Sequence, residues 1–203
     1  RRQDAMEKII QCAEDQSQLV NDLLDTSRII HGKMQVDMLP VDLTAVVRSS
    51  VDGVQAEARA GKIELCLHES DAVVLGDGTR LRQVVSNLLT NAIKFTPPGG
   101  HVEVRLNCEE GTARLQVTDS GEGISPEYLP KMFIHFSQAD TSLTRKHGGL
   151  GLGLYIVKEI VEMHGGSVWA ESKGLGRGAR FTVTLPLLTE ASGAEAEPHL
   201  LAH

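Results

Sequence analysis

Residues 80–95, Arg-Leu-Arg-Gln-Val-Val-Ser-Asn-Leu-Leu-Thr-Asn-Ala-Ile-Lys-Phe, carry two helical stripes at once. Leu81, Val85, Leu88, Ala92 and Phe95 recur at steps of four and three, the spacing of a helix packed on a core. Arg80, Gln83, Asn87, Asn91 and Lys94 form a second and wholly polar stripe beside it. Residues three or four apart on a helix face one another, so two asparagines and a lysine converge over roughly 10 Å at about 1.5 Å rise per residue. A solvated face explains such a stripe on most helices. In an acidic protein that face usually carries Glu and Lys pairs. Unpaired amides grouped with one lysine suit a metal ion and phosphate oxygens better.

The rest of the chain reads as elements arranged around this helix. Residues 1–31 predict one long helix, with Ile9, Ala13, Gln16, Val20, Leu23, Ser27 and Ile30 at a 3.5-residue period and Gly32 as its stop. Such a stripe needs a cover: an upstream helix, a second chain, or the protein's own body. Lys33 to Met38 reads as extended. Asp42 is the expected cap of a helix running to about Ala60, with Gly61 as its stop. Ile63–Leu67 and Val73–Leu75 read as strands, and Asp77 is the expected cap of the organising helix. His101–Asn107 and Ala113–Thr118 predict a hairpin across Glu109-Glu110-Gly111. A helix start is expected at Ser125-Pro126-Glu127, and a further helix over Leu150–Met163. Ser167–Ala170 and Arg180–Leu185 read as strands, and a polar tail begins at Leu188.

Bulk properties exclude several classes. With 203 residues, the chain has room for one good-sized domain and an appendage. A formal charge of −7, with no basic run interleaved with aromatics, argues against a nucleic-acid surface. Three scattered cysteines show neither metal spacing nor a disulfide framework and suit a reducing compartment. No apolar run approaches the roughly 18 residues of a membrane span, and these residues are not expected to include a signal peptide. The opening Arg1-Arg2, already inside a helix, is expected of a piece of a longer chain.

Four clusters carry chemistry, and their order matters more than any one of them. The Asn87/Asn91/Lys94 face comes first: an amide oxygen is acceptable to Mg²⁺, and a lysine beside phosphates acts as a point charge. Next is Asp119-Ser-Gly121-Glu-Gly123. A strand-end carboxylate can accept a hydrogen bond from an exocyclic amine such as adenine's, and the glycines let backbone approach a flat ligand. Alone, that motif is equally a plain turn. The third cluster, Phe133-Ile-His-Phe136, reads as core side chains when taken in isolation. The fourth is Gly148-Gly149-Leu150-Gly151-Leu152-Gly153 at a helix start, where free N–H groups and the helix dipole make an anion site. It is not a P-loop, for no GKS or GKT follows. Nor is it a dinucleotide turn, which needs an acidic residue about twenty positions on.

This series of boxes, Asn-x-x-x-Asn-x-x-Lys, DxGxG, Phe-x-x-Phe and GGxGLGL, resembles the ATP-binding domain of sensor histidine kinases over residues 42–187. Residues 1–40 are similar to the second helix of that family's dimerisation and phosphotransfer domain. The resemblance implies an α/β fold, a two-layer sandwich of a mixed β-sheet and three helices of the Bergerat type, preceded by a long helix. The expected division is a partial dimerisation helix over 1–32, a linker over 33–41, the ATP-binding domain over 42–187 and a flexible tail over 188–203. ATP and Mg²⁺ are the implied ligands, with Asp119 reading the adenine amine, Asn91 on the metal, and Asn87 and Lys94 at phosphates. A lid over Ser137–Gly148 would close through Arg145 and Lys146. Gly121, Gly123, Ile124, Phe136, His147, Gly148, Gly149, Leu150, Gly151, Leu152, Gly153 and Ala179 complete the implied pocket. The implied partners are a response regulator or fused receiver domain, and a second copy joined through the first helix. Nucleic acid is not expected, and a membrane only through regions outside this sequence. The implied location is the cytoplasm.

Departures from the family pattern set the alternatives. None of the eight histidines fits the phosphoacceptor. His68 precedes Glu69 but ends a strand, so autophosphorylation by this sequence alone is not expected. Leu150 and Ala179 stand where hydroxyl residues are common, which keeps open a degenerate pseudokinase acting as a binding module. A self-sufficient ATPase of the gyrase type is the third reading. It requires a glutamate acting as general base where this chain has the amide of Asn87.

Overall fold

The computed structural model describes residues 2–135, 137 and 151–188. Helix α1 (Arg2–Ile30) leads into strand β1 (Leu39–Asp42), helix α2 (Leu43–Ala60), strands β2 (Glu64–Glu69) and β3 (Val73–Gly76), and helix α3 (Gly78–Phe95). Strands β4 (His101–Glu109) and β5 (Thr112–Asp119), helix α4 (Gly153–Met163), and strands β6 (Ser167–Glu171) and β7 (Ala179–Pro186) follow. The caps form where the sequence places them. Asp42 accepts from the Ala45 N–H, and Asp77 accepts from the N–H groups of Thr79 and Arg80.

Strand order in the main sheet is β2-β4-β5-β7-β6, with β2 and β4 parallel and the other pairs antiparallel. The β4–β5 hairpin turns on Glu110 and Gly111, both at positive φ (49° and 75°), as a tight turn matching strand twist requires. β3 does not join this sheet. It pairs antiparallel with β1 in a two-stranded sheet of its own. One face of the main sheet is aliphatic: Val102, Val104, Leu106, Leu115, Val117 and Val183 are all buried. They pack beneath α2, α3 and α4, which contribute Val47, Leu88 and Ile156 among others. This is the mixed sheet under three helices that the resemblance implies.

Some expectations are corrected. The core stripe of α3 is broader than the four-three repeat, taking in Val84, Leu89 and Ile93 as well. Phe95 instead stands 38% exposed at the helix end. Lys33–Met38 carries neither helix nor strand, and strand pairing starts at Leu39, where β3 offers a partner. Ser125-Pro126-Glu127 starts no α-helix: the segment makes turns and a single 3₁₀ turn, Leu129–Lys131, around a second proline, Pro130. Helix α4 begins at Gly153 rather than Leu150, with Leu152 at its N-cap.

The long helix docks by an unexpected face. Asp25, Thr26 and Ile29 are buried, whereas Val20, Leu23 and Ile30 of the apolar repeat remain 55%, 45% and 57% exposed. Asp25 Oδ2 accepts from Arg80 Nη1 at 2.8 Å and from Gln83 Nε2 at 2.9 Å. The first two members of the polar stripe on α3 therefore serve to hold α1. At the far end of α4, buried His164 joins two helices. Its Nδ1 lies 2.7 Å from the Ile160 carbonyl, and its Nε2 accepts from the Asp77 N–H at 2.9 Å. Only the neutral ring with the proton on Nδ1 satisfies both.

Candidate functional site

Beyond Gln83 the polar stripe changes role. Asn87, Asn91 and Lys94 are each half-buried along one face of α3. Asn87 Nδ2 donates to the Gly153 carbonyl at 3.4 Å, which brings the asparagine face against the start of α4. No side chain caps that start. Helix N-termini carry unpaired N–H groups and a partial positive charge, so an anion beside Gly153 and Asn87 is favoured. Lys94 Nζ lies 5.4 Å from the centre of the Phe95 ring. The Leu152 side chain is a core residue, 1% exposed, so only its backbone could meet a ligand. Gly151 precedes it at a φ of 69°.

Asp119 arrives by strand register. In β5, alternate residues Ala113, Leu115, Val117 and Asp119 are buried, so the period of two that builds the core also turns one carboxylate inward at the strand end. It is 7% exposed. Oδ1 accepts from Gly121 N at 2.9 Å and from Ala179 N at 3.2 Å. Oδ2 accepts no hydrogen bond among the described residues. Burial raises the carboxyl's pKa above its ordinary value. The two backbone N–H groups, and His101 nearby, pull it the other way. A buried carboxylate with one oxygen tied down and the other open is poised to accept from a ligand donor.

The loops around Asp119 fit too closely for side chains. Gly178 has a φ of 67°, and a Cβ there would run into the Asp119 carbonyl; one on Gly121 would run into the Phe95 carbonyl. Glu122 N donates to that same Phe95 oxygen at 3.0 Å. The first glycine box is thus bound to the end of α3, and the second to its middle through Asn87. Gly123 and Ile124 continue the loop, both half-buried. Ala179 contributes its backbone N–H to Asp119, a role that needs no hydroxyl.

Phe136, Arg145, Lys146, His147, Gly148, Gly149 and Leu150 lie outside the described residues, as does the expected lid apart from Ser137. At its base, Tyr128 OH donates to the Ser137 carbonyl at 3.0 Å. The His135 and Tyr155 rings meet at 5.4 Å between centroids. His68 sits at the surface, 3.5 Å from Glu103, His31 follows the last residue of α1, and His164 has the structural role given above.

No group of three or more His, Cys, Asp or Glu side chains among the described residues could hold a metal. The donor chemistry at Asn91, a single neutral amide oxygen, fits Mg²⁺. That ion commonly takes one or two protein ligands and completes its shell with water and phosphate oxygens.

Two features that sequence reasoning missed bear on the site. One is the Asp25 contact, which no local pattern announces. The other is Ser172, discussed below, whose signal is a serine followed by glycines at 174, 176 and 178.

Residues 76–189 match the family described as histidine kinase-, DNA gyrase B- and HSP90-like ATPases. The chain belongs to that family. The circadian input-output histidine kinase CikA of Synechococcus elongatus is 38% identical over 204 residues, 98% of this chain and 27% of that protein. The mycobacterial sensor histidine kinase MprB is 34% identical with a TM-score of 0.66, over 74% of this chain and 97% of the solved one. Full-length ShkA, solved in complex with AMPPNP, is 30% identical with a TM-score of 0.77, over 93% of this chain and 40% of its own. Further relatives are hybrid signal transduction histidine kinases of Dictyostelium discoideum. Within the family, the chain holds the ATP-binding catalytic domain of a sensor histidine kinase. It spans 27% of CikA, so it is similar to one part of that protein. Nothing in these likenesses points to a degenerate pseudokinase.

Proposed function

We propose that residues 42–187 bind Mg²⁺-ATP and pass its γ-phosphate to a histidine on a helix outside this sequence, for relay to a response-regulator aspartate. The observation that carries the reading is Asp119: buried, with Oδ1 held by two backbone N–H groups and Oδ2 open to an exocyclic amine. At the other end of the site, Asn91 would hold Mg²⁺, which screens phosphate charge when bound. Asn87, Lys94 and the α4 N-terminus would orient the phosphates, with Arg145, Lys146, His147 and Gly148–Gly153 completing the lid side. Ile124, Phe136 and Ala179 would wall the base. Asn87 is an amide without useful basicity, which favours transfer to a protein acceptor over hydrolysis by an activated water.

In this reading residues 1–32 are the stem through which a second copy pairs, the exposed Val20, Leu23 and Ile30 being the surface available for it. Residues 33–41 are a linker and 188–203 a tail. A response regulator or fused receiver domain takes the phosphoryl group. Work on ATP suits the cytoplasm, and no helix among the described residues is long and apolar enough to cross a membrane.

Calorimetric titration of Mg²⁺-ATP into the protein and into Asp119→Asn tests the base contact. Binding that falls sharply in the variant is expected; equal affinities would sink the assignment. Transfer itself is tested by adding a polypeptide that supplies the phosphoacceptor helix, with radiolabelled ATP.

A further inference from the structure

Ser172, just after β6, is a half-buried serine whose hydroxyl has every hydrogen-bonding position filled. Ser172 Oγ donates to the Gly178 carbonyl at 2.7 Å. It accepts from the Ile124 N–H at 3.0 Å and the Gly174 N–H at 3.3 Å. A hydroxyl offers one donor and two acceptor sites, so this one is fully used. The three partners belong to the two loops that frame Asp119. Ile124 ends the first glycine box, while Gly174 and Gly178 lie in the β6–β7 loop. Two backbone bonds, Gly176 N to the Glu122 carbonyl at 2.6 Å and Gly178 N to the Gly121 carbonyl at 3.1 Å, run between the same loops. The next residue, Ala179, supplies one of the two N–H groups on Asp119 Oδ1.

We infer that Ser172 is a positioning residue for the adenine end of the site, its hydroxyl fixing the Gly121–Ile124 backbone and the Gly178–Ala179 backbone relative to Asp119. The inference rests on the reading of Asp119 as the base contact. It adds that the geometry of this contact depends on a side chain that does not touch the ligand. Backbone bonds alone leave the two loops joined only at Gly121 and Glu122. The serine extends the join to Ile124, where the loop leaves the base.

Calorimetry with adenosine, Mg²⁺-ADP, Mg²⁺-ATP and Mg²⁺-GTP, on wild type, Ser172→Ala, Ser172→Thr and Ser172→Cys, tests it. Ser172→Ala is expected to weaken adenosine, ADP and ATP by a common factor of about ten, the loss of one to two net hydrogen bonds. It should also narrow the preference for ATP over GTP. Ser172→Thr, which keeps the hydroxyl, is expected to stay near wild type. Ser172→Cys, with weak and longer bonds, should fall between. A melting temperature that drops in Ser172→Ala while all four affinities hold would overturn the inference and leave a purely structural serine. If Ser172→Ala does not fold, Thr and Cys decide: equal affinities in these two variants overturn it. Asp119→Asn, run alongside, separates the failures. Unchanged binding there removes the base-contact reading itself, whatever the serine variants do.

Discussion

The two ends of the proposed site are built differently. At the base end, Asp119 and both flanking loops are fixed by backbone hydrogen bonds, with glycines where no Cβ fits. At the proposed phosphate end, Asn87, Asn91 and Lys94 lie along one face of α3, and among the described residues the asparagine side chains make a single long bond, to Gly153. The proposed base end is thus tied together by bonds of its own, while the groups assigned to the phosphate end share one helix face, where a ligand and its metal would meet them. Preformed geometry lowers the ordering cost of binding. The difference therefore predicts that recognition of the base tolerates change poorly and that the phosphate end tolerates it in graded steps.

The most severe break should come from Gly178→Ala. A left-handed φ and a collision with the Asp119 carbonyl together predict a stability loss of about 2–4 kcal/mol, read by denaturant unfolding, with adenosine binding lost. Asp119→Asn is next. It replaces a charge-assisted acceptor with an amide, so adenosine and ATP affinities should both fall about thirtyfold, with their ratio kept. Asn91→Ala sharpens the contrast. ATP affinity in Mg²⁺ should fall roughly tenfold, while adenosine binding stays unchanged, and an equal loss for adenosine would dissolve the distinction between the ends.

The smallest effect is pH dependence. Burial raises the folded pKa of Asp119 above its ordinary value of 3.8, so the folded state binds more protons than the unfolded one between those values. The resulting contribution to stability is fully present below 3.8 and is lost as pH rises through the folded pKa. Asp119→Asn lacks this titration. Its stability relative to wild type should therefore climb as pH rises through that window and then level off, as thermal melts across a pH series would show. Nucleotide affinity should run the opposite way in wild type, weakening on acidification as the acceptor is protonated.

Period and caps made much of this legible. The strand alternation of β5, the capping aspartates Asp42 and Asp77 and the polar stripe on α3 are local signals, and the structure realises each one. The stripe also misled. Arg80 and Gln83 share its periodicity with Asn87 and Asn91, yet they answer to Asp25, 55 and 58 residues away, which no window of sequence reveals. His164 is another such case. It lies beside a glycine box in sequence but bonds to Asp77, 87 residues away. Helical expectation also failed after Ser125, because a second proline follows within a turn. Contacts made across the fold, rather than weak local propensity, account for most of what the sequence hid.

The seating of α1 has a mechanical consequence. Asp25 is clamped to α3, and Ile29 and Met34 are built into the same core as the sheet. The last turns of α1 therefore move with the catalytic body as one piece. A swing of that body relative to the earlier turns of α1 must bend the chain before Asp25. A cut made at the end of the helix would strip Arg80 and Gln83 of their carboxylate and open the core beneath Ile29.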